Sequence, residues 1–205
     1  MTSEFKSGRT LLLASTGLAS AAALMGSVQA VQAEGMYAGL SYGFFNGETP
    51  NSSDSGVAGD PDEYELTGGA AGVFVGTKFM DLGNNMTLGG ELAFTSAVEG
   101  DEDGNGGTDT SYDINWVADA KLRLGMNLGQ VNVYGFVGGT TGSANAGSEG
   151  GYGFQGTNFG LGAETTFANN MFVGLEAIQR NVNSYNSSED DTKHQAISLR
   201  VGFKF

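Results

Sequence analysis

The chain has 205 residues, 35 of them glycine and none cysteine, and a formal net charge of -14. That length has room for one domain. Without cysteine there is neither a disulfide framework nor a thiolate metal site. So negative a chain is unsuited to nucleic acid, whose phosphates need Lys and Arg to neutralise them, and to direct docking on an anionic surface.

A mean hydropathy of -0.15 excludes a bundle of membrane helices. It does not exclude a barrel, in which only alternate strand residues need be apolar. The glycines are spread among Val, Leu, Phe and Tyr, which suits strands that bend or pack closely rather than a flexible linker.

Lys6 and Arg9 precede a run rich in Leu and Ala from Leu11 to Met25. The run has the size of a signal-peptide core and falls short of the ~20 residues that a spanning helix needs. No charged residue occurs from 10 to 33, and small-x-small sites follow in Val28-Gln29-Ala30 and Val31-Gln32-Ala33. These features predict a cleaved signal peptide over 1–33 and a single domain over 34–205, against the alternative of an amphipathic surface helix.

Beyond Glu34 no helical period emerges. Segments of roughly ten or more residues alternate in polarity instead, the signature of strands. They fall near 36–46, 64–79, 86–98, 111–124, 130–140, 154–167, 171–183 and 193–205, each long enough to cross a bilayer when tilted. The connections at 47–63, 99–110, 141–153 and 184–192 are long and polar. Those at Asp81-Leu82-Gly83-Asn84-Asn85, Asn127-Leu128-Gly129 and Ala168-Asn169-Asn170 are tight. Long and short connections in strict alternation predict an all-β, eight-stranded antiparallel up-and-down transmembrane β-barrel, with long loops outside and short turns on the periplasmic side.

The fourth segment separates two faces. Tyr112, Ile114, Trp116, Ala118, Ala120, Leu122 and Leu124 share one side; Asp113, Asn115, Asp119, Lys121 and Arg123 share the other, interrupted by Val117. The eighth sets Ile197, Leu199, Val201, Phe203 and Phe205 against His194, Ser198, Arg200 and Lys204. In the third, Met86, Leu88, Leu92 and Phe94 oppose Thr87, Glu91 and Thr95; in the sixth, Phe159, Leu161, Ala163 and Phe167 oppose Asn158 and Glu164. Tyr42, Phe94, Tyr112 and Phe167 stand near segment ends, where interfacial aromatic girdles sit. The first, second and fifth segments are readable on either face.

Gly35-Met36-Tyr37-Ala38-Gly39-Leu40, Leu88-Gly89-Gly90-Glu91-Leu92 and the terminal Ile197-Ser198-Leu199-Arg200-Val201-Gly202-Phe203-Lys204-Phe205 carry a resemblance. The chain resembles the small outer-membrane β-barrel family of opacity-type surface antigens and the outer-membrane protein A transmembrane domain, within the porin family. The resemblance implies export to the cell outer membrane, contact with its lipid and lipopolysaccharide, and handling by periplasmic chaperones and the barrel assembly machinery. It implies an assembly signal in Val201, Phe203 and Phe205. No peptidoglycan-binding domain is expected, and family roles are diverse, so location is better supported than activity.

Eight strands enclose a space that side chains can fill. Glu91 is expected near Asp119 and Lys121, and Glu176 near Arg200, with Glu164, Arg123, Arg180 and Lys204 also inward. Since buried charges are costly unless paired, these nine residues predict a lumen of carboxylate–cation pairs. They either plug the barrel or line a narrow pore and set its selectivity.

Acidic residues concentrate in the long connections, as in Asp101-Glu102-Asp103-Gly104-Asn105-Gly106. This stretch copies the opening of an EF-hand loop but has Tyr112 where a bidentate Glu is required. Weak binding of divalent cations is the most it predicts; no resident metal or cofactor is expected. His194, the only histidine, shares a face with Ser198, but residues four apart on a strand lie roughly 13 Å from each other, beyond the reach of a catalytic pair. The sequence therefore points to a non-enzymatic barrel with a structural or surface-interaction role. A narrow pore is the alternative, and a lipid-modifying enzyme a more distant one. A soluble lipid carrier would need its apolar face inward.

Overall fold

A computed structural model of the chain describes residues 35–50, 63–98, 112–146, 151–184 and 191–205. These residues form eight strands: β1 (Met36–Pro50), β2 (Glu63–Gly83), β3 (Met86–Val98), β4 (Tyr112–Leu128), β5 (Val131–Ala146), β6 (Gly151–Thr166), β7 (Met171–Ser184) and β8 (Asp191–Lys204). Each pairs antiparallel with the next, and β8 returns to β1 to close the sheet, as the alternation of polarity predicts. The segment over 1–33, its cleavage site and the stretch Asp101–Gly106 lie outside the described residues.

The strands run further than polarity alone suggests. Most of the connection expected over 141–153 is sheet, paired from Thr141 opposite Gln155 to Asn145 opposite Gly151. Its Gly, Ser, Thr and Ala residues carry no alternation to read, while their backbone groups still complete the ladder. Two of the three tight turns also shorten. β2 continues to Gly83 and leaves Asn84-Asn85 as the turn, with φ of 51° and 62°, left-handed values that Asn tolerates better than most side chains. β4 continues to Leu128, and Gly129, at φ 73°, takes the left-handed position of the next turn.

The outward face is apolar through the middle of the barrel, with Phe44 72% and Leu161 67% exposed. The inward face carries the buried charges. One expectation is overturned: Ile114 turns inward and is buried, while Asn115 is exposed. A β-bulge explains the exchange. The register with β5 steps from Ile114 opposite Ala144 to Trp116 opposite Ser143, so Asn115 is the extra residue, and Ile114 on its far side changes face. Ile114 thereby joins Phe45, Val117, Ala144, Phe154 and Val182 in an apolar cluster inside the outer end of the barrel, away from the short turns.

Many glycines serve the interior. Inward aromatic rings repeatedly lie directly opposite a glycine on the neighbouring strand, among them Tyr37 on Gly76, Phe74 on Gly39, Tyr134 on Gly162, Phe136 on Gly160, Phe154 on Gly142 and Phe172 on Gly202. A β-carbon at any of these glycines would overlap the ring. Rings seated against glycine fill a narrow barrel without forcing its strands apart.

The ion-pair lumen as candidate functional site

The strand period sends every second side chain of each strand inward, and the closed sheet brings charges from distant parts of the chain to one axis. Glu91 on β3 faces Lys121 on β4 in register, and the Lys121 ammonium lies 3.1 Å from Glu91 and 2.5 Å from Glu176. Arg200 reaches Glu91 at 2.6 Å and also pairs with Glu176. Arg123 reaches the same Glu91 oxygen at 2.5 Å and Glu164 at 3.5 Å. Lys204, half-exposed at the end with the short turns, closes on Glu164 at 3.0 Å.

Asp119 stands apart from this cluster. It lies opposite Ala93, two positions nearer the outer end than Lys121, and Arg180 takes its carboxylate from across the lumen at 3.0 and 2.7 Å. Glu91 thus belongs to the lower cluster, and Asp119, the next inward residue of β4 above Lys121, to an upper pair with Arg180. Such a bidentate Arg–carboxylate contact fixes orientation as well as charge.

Further polar residues complete both layers: Asn158, read from the sequence on the polar face of the sixth segment, and Tyr37, Tyr134 and Thr140, which the sequence did not place inward. Tyr37 donates to Glu91 at 2.9 Å and Tyr134 to Glu176 at 3.1 Å, while Arg123 and Arg200 donate to the two tyrosine oxygens. In the upper layer Thr140 donates to Asp119 at 2.5 Å and Asn158 at 3.2 Å. The guanidinium of Arg123 sits 3.6 Å over the Tyr134 ring and that of Arg200 3.8 Å over Phe74. In a low-dielectric site these contacts offset the desolvation of each charge. The signal for Tyr37 and Tyr134 lay in strand parity, but both belong to segments readable on either face.

His194 is fully buried, with its ring 5.0 Å from that of Phe45 and 5.9 Å from Phe154. Neither of its nitrogens has a hydrogen-bond partner among the described residues. Val201, Phe203 and Phe205 point outward, and the Phe205 amide bonds to the Met36 carbonyl at 2.8 Å, fastening the last residue to the first strand.

Residues 11–205 match the family model described as outer membrane protein beta-barrel domain. The chain belongs to this family. Among curated proteins none matches it. Among solved structures, Neisserial surface protein A shares the fold at a TM-score of 0.59 and 13% identity, over 84% of this chain and 98% of that one. Ail, the attachment invasion locus protein of Yersinia pestis, gives 0.46 at 15% identity, over 84% and 99%. The outer membrane protease OmpT from Escherichia coli gives 0.43 at 11%, over 87% and 99%.

As an outer membrane protein β-barrel, the molecule sits in the outer membrane with its apolar face in lipid and its short turns periplasmic. Tyr42, Phe44, Phe94 and Trp116 gather toward the outer interface, with Phe94 and Trp116 stacked at 6.0 Å and 17°. Phe79, Phe167, Phe203 and Phe205 gather at the periplasmic one. The Tyr112 side chain expected in the outer girdle lies outside the described residues.

Proposed function

We propose that this outer-membrane barrel is a closed scaffold that holds its outer connections at the cell surface for structural or surface-interaction roles, rather than a conduit or an enzyme. The observation that carries the reading is the double plug. The lower ion-pair cluster and the upper Asp119–Arg180 layer enclose a cavity of about 50 Å³, space for one or two waters, and the apolar cluster around Phe45 and Phe154 lies beyond them. His194 is sealed between aromatic rings, which speaks against a hydrolase built on it. In this reading Val201, Phe203 and Phe205 present the assembly signal and the lumen charges hold the barrel's shape.

A second reading, a narrow pore, draws on a polar vestibule of about 150 Å³ at the periplasmic end, lined by Lys78, Arg123 and Lys204 among others. Planar-bilayer conductance separates the two. Folded barrel, verified by heat-modifiable gel mobility, is expected to leave the bilayer silent. Discrete steps whose ion selectivity shifts in Glu176→Gln would replace the scaffold with the pore.

A further inference from the structure

Outward side chains of β1, β8, β7 and β6 change character abruptly along the barrel. One cross-strand row reads Phe44, Ile197, Ala177 and Leu161. The next outward row toward the cell exterior reads Asn46, Gln195 and Gln179 and ends on the apolar Phe159 of β6. Above it Lys193 stands in register between Glu48 and Asn181, and then Asn183 between Asp191 and Gln155. The Asn and Gln carboxamides among these face outward, as does the Lys193 ammonium, with Gln179 donating to Asn181 at 3.2 Å. Side chains directly opposite each other in neighbouring strands lie roughly 5 Å apart, so the patch is continuous.

A groove of about 820 Å³ ends at these amides. Its walls include Leu122, Val137, Phe159 and Leu161, the small Ala177 lies in its bed, and Gln179 and Gln195 close its upper edge. The apolar trough runs within the lipid-facing band, and its polar end stands where that band gives way to the headgroups.

We infer that this face holds one glycolipid of the outer leaflet, with an acyl chain in the groove and its saccharide hydroxyls on the carboxamides of Gln179, Gln195 and Asn181. A carboxamide both donates and accepts, which matches hydroxyl-bearing sugars better than it matches a purely anionic headgroup. Lys193 adds a single contact for a headgroup phosphate.

The test reconstitutes the barrel in phosphatidylcholine vesicles containing a minor fraction of rough-type lipopolysaccharide and counts retained glycolipid by native mass spectrometry. The parent barrel is expected to keep one glycolipid. A Gln179→Ala, Asn181→Ala, Gln195→Ala triple variant is expected to lose about tenfold in occupancy, because several modest hydrogen bonds disappear together. Ala177→Phe, which fills the groove and leaves every amide in place, is expected to lose retention as well, so the inference stays testable if the triple variant does not fold. Unchanged occupancy in both folded variants would overturn it. So would phosphatidylcholine retained equally well, retention by the parent that vanishes in high salt, or a dimer that forms through the amide face without glycolipid.

Discussion

Arg200→Ala is expected to destabilise the folded barrel by about 3–5 kcal/mol, the usual cost of leaving buried charges without their partner. Arg200 is 2% exposed and bonds to Glu91, Glu176 and the Tyr134 hydroxyl. Its removal leaves two carboxylates facing each other with Lys121 and Arg123 as their remaining cations. Denaturant titration of the barrel in lipid vesicles, followed by gel mobility, measures the loss. Adding Glu91→Gln removes one of the stranded charges, so the double variant should lose less than the sum of the two single ones. A loss under about 1 kcal/mol for Arg200→Ala, the scale of a solvent-exposed ion pair, would show that water reaches this layer and that the lumen is not closed.

The second large effect is steric. Gly76→Val should cost about 2–3 kcal/mol, at the upper part of the range for overpacking a tight interior. The nearest atoms to a β-carbon at Gly76 all belong to the Tyr37 ring, and that ring is held by its bonds to Glu91 and Arg123. Tyr37→Ala should relieve the clash, making the pair less damaging together than their separate losses predict. Equal losses for Gly76→Val and for Gly135→Val in the same titration would remove the packing role. Gly135 faces outward, and a β-carbon there meets nothing closer than the Gly160 carbonyl oxygen at 3.8 Å.

The barrel was legible in the sequence because lipid and lumen impose opposite demands on neighbouring residues, and β4, β6 and β8 meet both with clear contrasts such as Leu122 against Lys121. β1, β2 and β5 were not legible, and the interior explains why. Their inward positions hold Tyr37, Phe74, Tyr134 and Phe136 among glycines rather than charges, so both faces look apolar in one dimension. The exchange at Ile114 and Asn115 escaped for another reason: one inserted residue reverses parity, and no residue type marks it. Inwardness of the nine charges could be read from parity. Their partners could not, because Asp119 meets Arg180 across the lumen, between strands that are not neighbours in the sheet.

The aromatic–glycine pairs also constrain how strands find their alignment. A slip of two residues keeps every side chain on its own face, so polarity does not oppose it. The rings do. Shifting β5 on β6 by two in one direction sets Phe136 against Asn158, and in the other sets Tyr134 against Glu164. On β7 and β8 the same shift moves Phe172 from Gly202 onto Arg200 or Lys204. On β1 and β2 it puts Phe74 against Tyr37 or Ser41. Ring placement thus opposes a two-residue slip at three separate seams, and the interior specifies register where polarity alone does not.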